Sequence, residues 1–569
     1  MTGPDDTAAS GESTAIDPVT LEVLRNQLEG IAAEMGTVLI RGAYSPNITE
    51  RQDCSTALFD AAGRMVAQAE HIPVHLGAMP DAVTAVRGQD PEPGDVFILN
   101  DPFTGGTHLP DVTLVSPLTL DGDVVGFAVS RAHHADMGGM TPGSMPAGAR
   151  EVYQEGLRIP PIRLIDAGER REDVFELLFA NVRNPAERRA DLTAQVAATE
   201  RAGDRLRELA GEYGRERLTA AFDAVIDYSR DRMAAAIDAL PDGTYEGSGV
   251  LEGDGVTDAD IPIRVTVVVA GESIAVDFAG SADQVAGNCN APLAVAKSAV
   301  YFVVRCVTDP EIPPNHGCYE PVSITAPEGS ILNPAPPAAV VGGNVETSQR
   351  VTDVVFDALG NAVPDRVTAG GQGTMNNLTI GSRGGTDGNT ADGGFTYYET
   401  IAGGSGARPD ADGMDGVHVG MTNTLNTPVE ALEAAYPLRV VRYALRPDSG
   451  GSGTFRGGLG IERTVRVETP ATVSLLTERR RHPPAGRNGG GDGARGENLI
   501  DGEPVPAKTT VDVTAGTTVT VKTPGGGGYG DPSERDPAAV SADRADGKTT
   551  SGSAHADQTG QSPNADDSQ

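Results

Sequence analysis

Residues 107–136 read Thr107-His108-Leu109-Pro110-Asp111, an apolar run from Val112 to Leu120, Asp121-Gly122-Asp123, a second run from Val124 to Ser130, and then Arg131-Ala132-His133-His134-Ala135-Asp136. Two strand-like runs joined at an Asp-Gly turn predict a β-hairpin. With the turn centred on Gly122, Asp111 falls opposite His133, about 5 Å away at the backbone. His108 lies just outside the strand, on a loop bent by Pro110. One strand end therefore gathers two imidazoles and a carboxylate, a set that suits a divalent ion such as Mn, Zn or Fe with positions left open. Pro117 works against this reading, because it requires an edge strand or a bulge that would spoil the register. The alternative is an HxxD spacing that arises by chance or as a surface pair.

Working outward, histidine is scarce, nine in 569 residues, yet His71, His75, His108, His133 and His134 all fall in one short stretch. The loop before the hairpin, Asn100-Asp101-Pro102-Phe103-Thr104-Gly105-Gly106, is turn-rich and leads directly to His108. His134 and Asp136 are either hydrogen-bonding partners of ligating imidazoles or ordinary loop residues. Upstream, Glu50-Arg51-Gln52-Asp53-Cys54-Ser55 offers two carboxylates for acid/base work or for a further ligand; a salt-bridged corner between helix and strand explains them equally. Cys54 becomes a nucleophile only if His71 or His75 meets it in space, and spacing does not show that. Asn315-His316-Gly317-Cys318 reads as turn chemistry.

The predicted fold class is mixed α/β (α+β) and multi-domain, with a long N-terminal helix, a central helical segment and a Gly-rich β C-terminal region. Residues 1–16 read as disordered. Residues 17–165 form an N-terminal α/β region bearing the metal site. Its helix starts at Asp17-Pro18, an N-cap followed by Pro at N1, carries Leu21, Leu24, Leu28, Ile31, Met35 and Leu39 as one stripe, and ends near Gly42. Ser55–Phe59 and Val96–Leu99 read as strands. Residues 166–245 are helical, 246–437 a Gly-rich central α/β region in which 264–269 and 274–278 form a hairpin, and 438–530 a β-rich region. Residues 531–569 lack apolar periodicity and read as a disordered acidic tail.

Composition narrows the function classes. There are 44 basic and 80 acidic residues, a formal charge of −36, and only four of the basic residues are Lys. Such a surface repels phosphate backbones and anionic lipid, which excludes nucleic acid and membrane as partners. It suits a halophile's enzyme, since the Debye length near 1 M salt is about 3 Å and the carboxylates hardly repel one another. Four cysteines without a CxxC pair, no signal peptide and no apolar run long enough to span a bilayer predict a cytoplasmic protein with reduced thiols. No GxxxxGK[ST] motif is present, so the chain shows no phosphate-binding loop of its own.

Asn47-Ile48-Thr49-Glu50-Arg51, Asp53-Cys54-Ser55, Gln68 to Gly77, Asn100 to Asp111, Arg131 to Asp136 and Thr523 to Gly530 resemble, in order, the motifs of the hydantoinase B/oxoprolinase family. The resemblance covers about residues 15–532. It implies the hydrolytic subunit of an ATP-dependent cyclic-amide hydrolase, of N-methylhydantoinase or 5-oxoprolinase type. A hydantoinase A-type ATPase subunit would be its partner in a hetero-oligomer and would use the ATP to activate a five-membered lactam or hydantoin. It further implies metal ligation by His108, Asp111 and His133, the positions of the HxxD pair and later His of the related acetone carboxylases, with Glu50 or His134 moving protons. The rival expectations are the alpha subunit of an ATP-dependent ketone carboxylase, a non-catalytic scaffold for the A-type partner, and a non-haem iron oxygenase.

Overall fold

A computed structural model describes residues 16–382 and 394–550. Residues 1–15 and 551–569, parts of the two expected disordered ends, lie outside them. The Asp17 carboxylate accepts from the Val19 and Thr20 amides at 3.1 and 3.0 Å, satisfying orphan donors of the helix Pro18–Gly42. Leu24, Leu28, Ile31, Met35 and Leu39 of that helix are fully buried. Each contributes at most about 1.5–3 kcal/mol of apolar burial.

The hairpin forms with the anticipated register. Asp111–Leu120 pairs antiparallel with Asp123–His133, Asp111 lies opposite His133, and the pairing holds as far as Leu118 and Gly126. A shift between Leu118 and Thr119 confines the irregularity to the turn end. Pro117 is accommodated because the neighbouring strand Val96–Leu99 pairs only with Thr113 to Val115, so the sheet has a local edge beyond that point.

The hairpin lies at the centre of a seven-stranded sheet. Its order is Met65–Glu70, Cys54–Asp60, Asp123–His133, Asp111–Leu120, Val96–Leu99, Ile162–Asp166 and Glu169–Arg170. Strand alternation divides its side chains between two layers. Cys54, Leu58, Ala128 and Ala132 face the helices Pro18–Gly42 and Pro185–Tyr213. Ala57, Phe59, Val115, Phe127 and Val129 face the opposite side, in a core shared with the helices Met79–Arg87, Leu293–Val307 and Ser348–Leu359. The central helical segment comprises Glu172–Ala180, Pro185–Tyr213 and Arg215–Asp238.

Beyond it, Gly243–Glu252, Asp260–Ala270, Ser273–Asp277 and Val322–Thr325 make a four-stranded sheet that includes the expected hairpin. Its last pair is parallel. The C-terminal region packs two sheets over one core. Thr396–Glu399, Asn377–Gly381, Ala471–Leu476 and Lys508–Val513 form one of them. Leu438–Leu445, Ile461–Val467, Thr518–Lys522, Glu497–Ile500 and Glu503–Pro504 form the other. Among the described residues no helix is long and apolar enough to cross a membrane.

The tail differs from expectation over 531–550. A helix, Pro537–Ala545, is capped by Asp536, and Arg535 reaches Asp412 and Asp543 at 2.7 Å each. Lys548 lies 3.3 Å from Asp415. Ion pairs and a cap dock this segment, so it has no apolar stripe for periodicity to detect. Ending the chain at residue 531 instead of 550 is expected to remove about 1–2 kcal/mol and to lower the melting temperature by scanning calorimetry, more at low salt than at high salt.

Candidate metal centre

Three residues from the hairpin and its approach loop meet inside the protein. His108, Asp111 and His133 are 1%, 1% and 2% exposed, and each offers a ligand atom within 4.8 Å of the others. His108 Nε2 is 2.9 Å and His133 Nδ1 is 3.1 Å from Asp111 Oδ1. The two imidazole centroids are 5.1 Å apart. His133 Nε2 and both ring nitrogens of His108 are buried without an aligned hydrogen-bond partner. Unsatisfied buried nitrogens are costly, and two imidazoles beside one carboxylate are the donors a divalent cation takes. The residues fit such an ion.

The approach loop holds His108 by backbone contacts. Asn100 Nδ2 donates to the Leu109 carbonyl at 2.8 Å and its Oδ1 accepts from the Ile159 amide at 2.7 Å. Gly106 packs so close to Asn100 that a Cβ there would stand 2.4 Å from the Asn100 carbonyl oxygen. Arg131, fully buried, ties strand to loop by donating to Thr113 Oγ1 and the Gly105 carbonyl. The His133 amide donates to the Asp53 carbonyl at 3.0 Å.

The electrostatics are set by burial and by the company Asp111 keeps. Burial alone would push its carboxyl up, but His108, His133 and His75 outweigh that and hold it well below the usual carboxylate range. Burial depresses His133 despite its hydrogen bond to Asp111, so its imidazole stays neutral at neutral pH, the form that ligates.

Sequence reasoning missed three neighbours. His75, at the end of the short turn Pro73–His75, places Nε2 3.5 Å from Asp111 Oδ2, while Ser55 Oγ holds its Nδ1 at 2.9 Å. Asn344 Nδ2 donates to Asp111 Oδ2 at 3.4 Å. The Tyr398 ring stacks on His133 at 4.4 Å and 18°. His75 is visible in the sequence as part of the histidine cluster; Asn344 and Tyr398, far along the chain, carry no local signal.

Other candidates are not brought to the group. His134 points to the helical face, where Nε2 meets Gln195 Oε1 at 2.8 Å and burial pushes its pKa down to about 4. Asp136 binds Arg183 and the Gly138 and Gly143 amides instead of an imidazole. Glu50 is exposed at the end of the turn Pro46–Thr49. Cys54 faces the helical core, burial pushes its thiol up, and it is no activated nucleophile. His71 packs beside Gly36 of the first helix. Asn315 caps the Cys318 amide and binds Ser229, the turn role anticipated for it.

These features define a multi-sheet α/β protein with an interior His/Asp pocket of the kind that holds a divalent ion. Residues 17–532 match Hydantoinase B/oxoprolinase, and the chain belongs to that family. An uncharacterised protein of Methanocaldococcus jannaschii is 40% identical, with 95% of this chain and 96% of that protein covered. The 5-oxoprolinase 1 of Arabidopsis thaliana is 39% identical over 90% of this chain, which spans only 42% of that protein. The B-type subunit of a putative D-/L-hydantoinase from a Pseudomonas species is 34% identical, with 94% and 93% covered. Among solved structures, an ATP-dependent caprolactamase from Pseudomonas jessenii has a TM-score of 0.86 at 31% identity, covering 94% of this chain and 95% of that one. A nucleotide-free acetone carboxylase has a TM-score of 0.83 at 20% identity, covering 94% and 78%, a likeness of fold.

Calorimetric titration with Mn2+ or Zn2+ is expected to show binding that H108A, D111A and H133A each weaken by at least about 100-fold, judged against the 10–100-fold typical of residues that only support a ligand. H134A is expected to retain binding and to lose about 1–3 kcal/mol of stability by stranding Gln195. Because burial depresses His133 and its neighbours depress Asp111, binding should persist as pH falls through the ordinary imidazole range near 6.5 and fail only on its acid side.

Proposed function

We propose that this chain is the hydrolytic component of an ATP-dependent cyclic-amide hydrolase, opening a five-membered lactam or hydantoin ring that a hydantoinase A-type ATPase subunit has activated. The observation that carries the reading is the buried His108, Asp111 and His133 group with unsatisfied imidazole nitrogens, in a chain of this family. The activities for which the caprolactamase and 5-oxoprolinase are named support the reaction class. The Pseudomonas relative is itself one component of a hydantoinase, which together with the lack of a phosphate-loop motif supports a separate ATP-using partner in a hetero-oligomer. The acidic charge supports function in concentrated salt and in the cytoplasm.

A divalent ion held by His108, Asp111 and His133 would supply Lewis acidity toward a ring carbonyl or lower the pKa of a water. The protein's own groups prepare the place. Asp111 stays ionised. His133 stays neutral, and the Tyr398 ring covers one of its faces. The burial of all three side chains excludes bulk water, which strengthens every charge interaction there. Neither Glu50 nor His134 touches the group, so proton transfer to the departing ring nitrogen is assigned to neither.

Co-expression with the A-type partner and phosphate release on a panel of cyclic amides in high salt tests the proposal. The complex is expected to release phosphate and open a ring only with both components present. H108A and H133A should lower kcat by about 100-fold or more, the scale of lost transition-state stabilisation, while E50Q stays within a few-fold. Phosphate release that needs bicarbonate and a ketone would replace hydrolysis with carboxylation; activity surviving both histidine substitutions would leave a scaffold.

A further inference from the structure

Gly343–Thr347 forms a single π turn that runs directly into the helix Ser348–Leu359. Such turns are rare and concentrate at functional sites. This one is pressed against Asn288–Asn290: the Gly343 amide donates to the Asn288 carbonyl at 3.0 Å, and a Cβ on Gly343 would lie 1.9 Å from the Asn290 carbonyl oxygen.

The turn touches the metal group from two directions. Asn344 donates to Asp111 Oδ2. Two residues on, Glu346 Oε1 accepts from Asn377 Nδ2 at 2.8 Å and from the Met375 amide at 3.2 Å. Asn377 Oδ1 accepts from the Tyr398 hydroxyl at 2.9 Å, and the Tyr398 ring stacks on His133. Arg51 lies over the same tyrosine and donates to its carbonyl at 2.9 Å. Asn344, Glu346, Asn377 and Tyr398 are all buried. Glu346 is not one of the three ligands, and it reaches His133 only through this chain of contacts.

We propose that this turn is the positioning device of the metal centre, with Glu346 holding the plane of the His133 ring through Asn377 and Tyr398 while Asn344 holds the Asp111 carboxylate. The inference rests on the proposed metal site. Second partners of this kind orient ligands and tune the metal they hold.

The charge state of Glu346 follows from its surroundings. Burial first, then the neighbouring Glu478, raises its carboxyl from 4.5 to about 8, against the opposing pull of Lys508 and Arg480. Lys508 is paired with Glu478, which limits what it offers Glu346. Cys289 and Tyr398 are the other titratable groups facing it, and both stay protonated because burial pushes them up. Glu346 is therefore a neutral acid at neutral pH, and a glutamine in its place keeps the same acceptor for Asn377.

The test uses Co2+ as probe on the full chain and ring opening by the complex with its partner. E346A is expected to shift the visible d–d spectrum of bound Co2+ and to lower kcat about 10-fold with KM little changed. E346Q should restore both. The wild-type spectrum should change as pH rises through about 8, and that of E346Q should not. The folded chain keeps the Glu346 proton that the unfolded chain releases above 4.5, so wild-type stability falls as pH rises between 4.5 and about 8, and E346Q should flatten that profile. If E346A does not fold, Y398F, which keeps the stack and frees Asn377, is expected to shift the spectrum in the same direction by less. The inference is overturned if E346Q is as impaired as E346A, or if neither E346A nor Y398F alters the Co2+ spectrum. A wild-type chain with no Co2+ spectrum removes the metal reading and this inference together; an unchanged E346A spectrum on a Co2+-binding chain removes the inference alone.

Discussion

A carboxylate buried to 1% exposure, Asp111, is the constraint around which this protein is arranged. Moving an ion of that size out of water costs several kcal/mol even after relaxation, and the cost is met only where partners surround it. Here His108 and His133 meet one oxygen, while the Thr107 hydroxyl, at 2.8 Å, meets the other together with His75 and Asn344. These partners come from a strand end, an approach loop, a short turn and a π turn. Each is held by its own packing, so the carboxylate stays ionised only when the whole assembly is in place.

The adjacent pair His133 and His134 shows how one strand serves two purposes. Successive side chains on a strand point to opposite faces. His133 therefore enters the pocket, while His134 enters the helical layer and meets Gln195, whose amide also donates to the Val112 and Ser130 carbonyls across the hairpin. One histidine supplies chemistry. The other fastens the helix Pro185–Tyr213 to the sheet behind it, which keeps the hairpin in register where the ligands emerge.

Closure of the pocket comes from far along the chain. Tyr398, from the strand Thr396–Glu399, covers His133, and the π turn closes on Asp111. The C-terminal sheets thus act on the site through their packing. A pocket sealed this way favours chemistry on an activated ring amide, because water reaches it only by a controlled route.

The hairpin register, the first helix with its Asp17 cap, the helical middle and the three clustered residues His108, Asp111 and His133 are all legible in the chain. They depend on local signals: a period of two or of three to four, an Asp-Gly turn, a capping carboxylate before a proline. The docked helix Pro537–Ala545 is not legible, because ion pairs to Asp412 and Asp415 leave no periodic trace. Nor are Asn344, Asn377 and Tyr398, which reach the site only after three sheets pack together. Which residues share a strand end is written in the order of residues, since turn position and backbone geometry settle it within a single hairpin. Which of the two neighbouring histidines joins the pocket, and what surrounds Asp111, is settled by packing. Burial and long-range contact are properties of the assembled chain, and no local pattern encodes them.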